Sequence, residues 1–187
     1  VDPELVRKLK GLILRGEVRD AASVCGLDPG AVRFLDLPFY EEGRYRRFQR
    51  TENDVQIMRK VLEGLKPDMI FVTGDAGDPS STQSIAFDCF AEAWNQMSSE
   101  SWSSECRVWS YRGRDGSFET HEIDMAVPMS PDQLEQKVEA IRKFMSTSDD
   151  DLSAPTRNRE IAAEYDALGM AEYEAIEAFC RWGSQSS

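Results

Sequence analysis

Histidine is almost absent from this 187-residue chain, which contains one, His121. A zinc site built from several imidazoles needs more than one histidine, and so does a catalytic pair of histidines. The count therefore excludes both kinds of site from being assembled by these residues alone.

Cysteine is scarce as well, and its spacing excludes two further kinds of site. The four cysteines are Cys25, Cys89, Cys106 and Cys180, and they form no Cys-x-x-Cys pair. The chain therefore has neither a zinc ribbon nor a redox dithiol of that type. Because so low a density also argues against a disulfide framework, we expect reduced thiols in a reducing compartment such as the cytoplasm.

The chain also lacks long apolar runs and an excess of positive charge. No run approaches the roughly 20 residues that a membrane-spanning helix needs, and because the first residues are charged we expect no signal peptide. The chain has 22 Lys+Arg against 34 Asp+Glu, a formal net charge of −12. Residues 1–50 carry +2 and residues 51–187 carry −14. Since a surface of that sign repels polyphosphate, we expect no nucleic-acid partner.

Helix patterns with capping signals recur along the chain. The first begins at Asp2-Pro3, and we expect it to break at Gly16, to resume, and to end at Gly26. Thr51 to Asp54 forms a capping box ahead of an apolar stripe. Further helices are predicted up to Met97, from Ser130 to Met145, and from Thr156 to Leu168.

Strand patterns alternate with these helices. They cover Val32–Leu37, Met69–Thr73, Cys106–Tyr111 and Glu122–Val127, while Tyr173–Trp182 fits a helix or a strand. The alternation predicts an α/β fold, a Rossmann-like, open, mostly parallel sheet with flanking helices. We expect one domain over residues 1–187.

The loop after Met69–Thr73 is the first candidate site, because open α/β sheets bind ligands beyond the carboxyl ends of their strands. Asp75 and Asp78 lie three residues apart in it. They could hold a metal ion or act as a base. The simpler interpretation is that this polar loop only caps the following helix, because caps use the same residue types.

Residues 70–83 resemble the second metal motif of the PIG-L/LmbE-type amino-sugar deacetylases. They are most similar to the form fused behind bacterial glucosamine-6-phosphate deaminases, where the loop contains Gly-Asp-x-x-Asp-Pro-His-Gly-Thr-His. The resemblance extends over nearly the whole chain. It is carried by residues 7–17, 34–40, 106–113, 121–131 and 173–179.

The resemblance implies a zinc site that this sequence does not reproduce. Active relatives hold one zinc ion through an N-terminal His-Pro-Asp-Asp motif and the second histidine of the loop motif. Here the first motif is missing, Ser80 and Gln83 stand at the two loop histidines, and Phe144 stands at a third histidine of the family. Hydroxyl and carboxamide oxygens are poor zinc ligands, so we expect no zinc, no other cofactor and no zinc hydrolysis.

Two residues outside the loop are candidates for binding a ligand rather than a metal ion. They are Arg112, at the end of a predicted strand, and His121, which the family shares but does not use as a metal ligand. The resemblance implies an amino sugar or a sugar phosphate as the ligand. For His121 a surface or packing role is the alternative.

Two hypotheses follow. The first is a degenerate deacetylase-like domain of a glucosamine-6-phosphate deaminase-like protein, acting in binding or assembly. The second is an active amino-sugar hydrolase or deaminase, completed by a missing N-terminal segment or a partner chain. Since the family's first strands precede the matched region, both predict a sheet edge that such a segment or partner covers.

Overall fold

Helices and strands alternate in the computed structural model, which describes residues 2–42, 49–74, 81–112, 116, 118–144 and 153–183. The helices are α1 (Pro3–Val24), α2 (Pro38–Glu42), α3 (Glu52–Leu65), α4 (Thr82–Gln96), α5 (Ser101–Glu105), α6 (Pro131–Arg142) and α7 (Ser153–Ala167). The strands are β1 (Met69–Gly74), β2 (Arg107–Arg112), β3 (Met125–Met129) and β4 (Ala175–Arg181). None of the helices in the described ranges is both long and apolar enough to cross a membrane.

Within the described residues, these four strands form one open sheet in the order β1-β2-β4-β3. β1 and β2 run parallel, with Gly74 opposite Arg112. β2 and β4 run antiparallel, with Ser110 opposite Cys180. The α/β class, with an open sheet and flanking helices, is therefore confirmed. β1 stands at one edge of the described sheet.

Internal contacts divide the chain into two units, each made of two stretches of sequence. Unit 1 comprises Val1–Phe34 and Val127–Glu177. Unit 2 comprises Leu35–Ala126 and Ala178–Ser187. The expectation of one domain over residues 1–187 stays a prediction.

The main core of unit 2 contains residues from α3, α4 and β2. Its buried members are Leu62, Phe90, Met97 and Val108, and the partly buried Trp94 packs against them. The helical periodicity of the sequence places these side chains correctly, because Leu62 lies on the apolar stripe of α3 and Phe90 on that of α4.

A smaller cluster in unit 2 contains Phe39, Ile85 and Cys89. Burial, together with the nearby carboxylates of Asp54 and Asp88, raises the pKa of the Cys89 thiol to about 11. The thiolate is the reactive form of cysteine, so this buried thiol is unreactive near neutral pH.

Unit 1 is built on the contact between α1 and α6. Glu17 and Ala21 are the buried residues of α1, and Leu134 and Ala140 those of α6. The side chain of Gln136 donates a hydrogen bond from Nε2 to the carbonyl oxygen of Val24, at 2.7 Å. The second half of α1 is therefore the half that packs in this unit.

The first predicted strand, Val32–Leu37, is wrong. Residues 29–31 form a 3₁₀ turn, and residues 32–37 follow without pairing to a strand in the described structure. Asp36 has a φ of 49°, which interrupts the extended backbone that a strand needs. The apolar and β-branched side chains gave a strand-like pattern, but that pattern does not encode this local conformation.

The predicted helix break at Gly16 is also wrong, since α1 runs without interruption from Pro3 to Val24. A glycine inside a helix costs only about 1 kcal/mol, and its flanking residues favour helix. Gly26, with a φ of 77°, follows the C-cap Cys25 and ends the helix as predicted.

Two further segments are refined by the structure. β3 begins at Met125, three residues after the predicted start, because residues 120–122 form a 3₁₀ turn. The ambiguous segment Tyr173–Trp182 is a strand, β4, in which Ala175, Ile176, Ala178 and Cys180 are buried.

Candidate functional site

The candidate site lies in unit 2, at the carboxyl ends of β1 and β2. These strands are parallel, so their ends meet at the same edge of the sheet, with Gly74 opposite Arg112. The loop that follows Gly74 carries Asp75, Asp78 and Ser80, and these three residues lie outside the described part of the structure. Their predicted roles stay predictions.

Beyond the loop, α4 begins with a cap that the sequence pattern supports. The Ser81 Oγ accepts a hydrogen bond from the backbone N–H of Ser84, at 3.1 Å. Gln83 lies in the first turn of α4, and its side chain is exposed. This exposure follows from the helix geometry, since the buried face of α4 is formed by Ile85, Cys89 and residues further along.

Arg112 is held at the end of β2 by contacts on two sides. Its guanidinium carbon lies 4.9 Å from the centroid of the Phe118 ring, and Phe118 is buried. Gly116 packs so closely that a Cβ there would lie 3.3 Å from the Arg112 Cδ. An arginine stacked on an aromatic ring has a fixed direction, and a fixed guanidinium suits a carboxylate or a phosphate.

Phe118 and Gly116 are site residues that sequence reasoning missed. The signal was present but weak: a glycine and an aromatic residue follow Arg112 within six positions. Such a short pattern is common in loops, and only the structure brings the ring under the guanidinium.

Two buried polar atoms in β1 and β2 lack a hydrogen-bond partner among the described residues. Neither the hydroxyl of Thr73 in β1 nor the indole N–H of Trp109 in β2 has a hydrogen-bond partner in the described structure. Native proteins leave few buried polar groups unsatisfied, and those that remain call for an explanation.

The other sequence candidates occupy different places. His121 has an exposed side chain in the 3₁₀ turn of residues 120–122, where the backbone N–H of Glu119 donates to the Glu122 Oε2 at 2.9 Å. Phe144 is half-buried just after α6, in unit 1. The structure therefore gives His121 a solvated position, and its ligand-binding role stays a prediction.

Two described positions at which the family has histidine carry no zinc ligand here. Gln83 offers a carboxamide and Phe144 offers no donor, whereas zinc in proteins prefers thiolate, imidazole and carboxylate. Among the described residues there is no group of three or more His, Cys, Asp or Glu side chains that could hold a metal ion.

Comparison with known proteins identifies the kinship. No protein-family model matches the chain. A glucosamine-6-phosphate deaminase-like protein of Bacteroides thetaiotaomicron is 39% identical over 198 residues, which include 97% of this chain and 29% of the relative. This chain is a homologue of that deaminase-like protein. It spans less than a third of the relative's length.

Solved structures show that the fold of this chain is shared more widely. The N,N'-diacetylchitobiose deacetylase of Pyrococcus horikoshii matches with a TM-score of 0.56 and 19% identity, over 91% of this chain and 63% of that structure. The 4-carboxy-2-hydroxymuconate hydratase of Pseudomonas putida matches with a TM-score of 0.62 and 14% identity, over 92% and 72%. The resemblance seen in the sequence is thereby confirmed. The chain is homologous to part of the deaminase-like protein and has a deacetylase-like fold.

Proposed function

We propose that this chain is a degenerate deacetylase-like domain of a longer glucosamine-6-phosphate deaminase-like protein, and that it binds an amino-sugar phosphate without zinc hydrolysis. The observation that carries the proposal is Gln83. It stands in the first turn of α4, with an exposed carboxamide where the resemblance places a zinc-binding imidazole.

The binding part of the proposal is supported by Arg112. Its guanidinium is stacked on Phe118 at the end of β2, opposite Gly74. Planar guanidinium groups pair with phosphate oxygens through two parallel hydrogen bonds.

The assembly part of the proposal concerns β1. The strand reads Met-Ile-Phe-Val-Thr-Gly, the apolar pattern of a central parallel strand, yet it stands at the edge of the described sheet. Met69 and Phe71 are 36% and 48% exposed. We propose that a further segment of the longer protein, or a partner chain, covers this edge.

The first prediction concerns metal and activity. The complete polypeptide, purified and dialysed, is expected to contain far less than stoichiometric zinc and to release no acetate from N-acetylglucosamine 6-phosphate, because imidazole ligands are missing. Elemental analysis and an acetate assay measure both. Stoichiometric zinc with acetate release would overturn the proposal and favour the alternative, an active amino-sugar hydrolase or deaminase. In that case Asp78→Ala should abolish turnover.

The second prediction concerns Arg112. Arg112→Ala is expected to weaken binding of glucosamine 6-phosphate by about tenfold or more, because it removes a charge-assisted bidentate contact. Isothermal titration calorimetry measures the change. Arg107→Ala is the matched control, since this exposed arginine stands at the other end of the same strand. Equal affinity of the Arg112→Ala variant and the unmodified protein would refute the assignment.

A further inference from the structure

The first half of α1 presents an apolar stripe that nothing in the described structure covers. Leu5, Leu9, Leu12 and Ile13 follow one another at helical spacing, and each is between 51% and 59% exposed. We call these four residues the leucine stripe. The buried residues of α1, Glu17 and Ala21, belong to the second half, so the stripe is separate from the packing of unit 1.

The stripe has the features of a contact surface. Single exposed leucines are ordinary on protein surfaces, but a contiguous apolar strip on one helix face marks an interaction site. Lys8 lies at one edge of the stripe, and Arg7 lies on the opposite face of the helix beside the partly exposed Leu14. Helical stability in proteins comes mostly from the packing of an apolar face, so a partner surface on the stripe would stabilise the first half of α1.

Charge discriminates among the possible partners. An antiparallel pairing of two copies centred on Leu9 would set Lys8 of one copy opposite Lys10 of the other, which is repulsive. An anionic membrane would attract the helix, but the chain as a whole carries −12 and is repelled. A protein surface with an apolar groove and an acidic rim fits both the stripe and its basic flank.

We propose that the leucine stripe docks on another domain of the same polypeptide. The deaminase-like relative is matched over 97% of this chain but only 29% of its own length, so more than two thirds of that protein lies outside the matched region. The proposal rests on the proposed function in one respect, the placement of this chain in a longer protein. It is independent of zinc, catalysis and sugar binding.

The test compares thiol labelling in the isolated 187-residue chain and in the complete polypeptide. Leu12→Cys reports on the stripe, and Arg7→Cys, on the opposite helix face, is the matched control. Both variants carry Cys25→Ser and Cys106→Ser, because Cys25 is exposed and Cys106 is partly exposed, while Cys89 and Cys180 are buried. Labelling with a maleimide is followed by peptide mass spectrometry.

In the complete polypeptide we expect the labelling rate at Leu12→Cys to fall about tenfold or more relative to the isolated chain, with a change of less than about twofold at Arg7→Cys. Leu9→Cys serves as a second reporter in case one variant folds poorly. Equal rates at the stripe in the two proteins would overturn the proposal, and so would a complete polypeptide of only 187 residues.

Two further measurements on the isolated chain test whether a second copy or a membrane covers the leucine stripe instead. Sedimentation equilibrium that shows a dimer, made monomeric by Leu9→Lys, would assign the stripe to a second copy. Cosedimentation with phosphatidylserine vesicles would assign it to a membrane. Either outcome overturns the proposal, and neither bears on the zinc and acetate measurements that test the proposed function.

Discussion

Asp54→Ala is expected to lower the free energy of unfolding by about 2 to 4 kcal/mol, because it removes a buried carboxylate with several hydrogen bonds. Asp54 is 0% exposed. Its Oδ1 accepts from the backbone N–H of Phe39 at 2.9 Å, and its Oδ2 from the backbone N–H of Thr51 at 2.8 Å. The Thr51 hydroxyl also donates to Oδ2.

The cost comes from the partners that would be left behind. Without Asp54 the side-chain half of the capping box of α3 is lost, because the backbone N–H of Thr51 loses its acceptor. The N–H of Phe39 also loses an acceptor in a buried place. Losing a cap costs about 1 kcal/mol, and a buried unsatisfied donor adds about 1 to 3 kcal/mol. Chemical denaturation followed by circular dichroism measures the sum.

The matched control is the capping box of α6. The backbone N–H of Ser130 donates to the Gln133 Oε1 at 2.9 Å in an exposed setting. Gln133→Ala removes the same half of a capping box as Asp54→Ala and should cost about 1 kcal/mol or less, because water replaces the lost partner. If Asp54→Ala cost no more than Gln133→Ala, the contact from Asp54 to Phe39 would contribute nothing and this account of α3 would be wrong.

Asp54 also shows where sequence reasoning ends. The capping box from Thr51 to Asp54 was predictable, because both partners lie within four residues. The bond to Phe39 spans 15 positions and depends on how α2 approaches α3. No periodicity encodes that approach. The same limit explains the error at Val32–Leu37, where a local pattern suggested a strand but the chain offers it no neighbour.

At the candidate site, the secondary-structure elements are predicted from the sequence more accurately than the side-chain contacts. The apolar run of β1 and the polar loop after it predicted a ligand-binding edge, and β1 and β2 do run parallel there. The candidate Arg112 stands at the end of β2. The ring of Phe118 that orients it was not predicted, because its contact depends on a loop conformation rather than on a repeating pattern.

In unit 1 the largest expected effect comes from Asn158, a buried polar residue of α7 that links this helix to α6 and β4. Asn158 is 4% exposed. Its Nδ2 donates to the carbonyl oxygen of Ile176 at 2.8 Å, and its Oδ1 accepts from the Lys137 Nζ at 2.8 Å. Lys137 also forms an ion pair with Glu177. One amide therefore satisfies groups on two other elements.

Asn158→Ala is expected to lower the free energy of unfolding by about 2 to 3 kcal/mol, since it leaves the carbonyl oxygen of Ile176 and one N–H of Lys137 without a hydrogen-bond partner. Arg159→Ala is the matched control on the same helix. It breaks an exposed ion pair with Glu174 and should cost about 0.5 kcal/mol or less. Denaturant unfolding of both variants measures the difference.

A double-mutant cycle decides whether the three groups act as one network. If they do, Asn158→Ala and Lys137→Met together should cost less than the sum of the single changes, by about 1 kcal/mol, because the first substitution already removes a partner of the second. Strict additivity would mean that Asn158 stabilises β4 through Ile176 alone. The Lys137–Glu177 pair would then contribute as an independent, half-exposed ion pair.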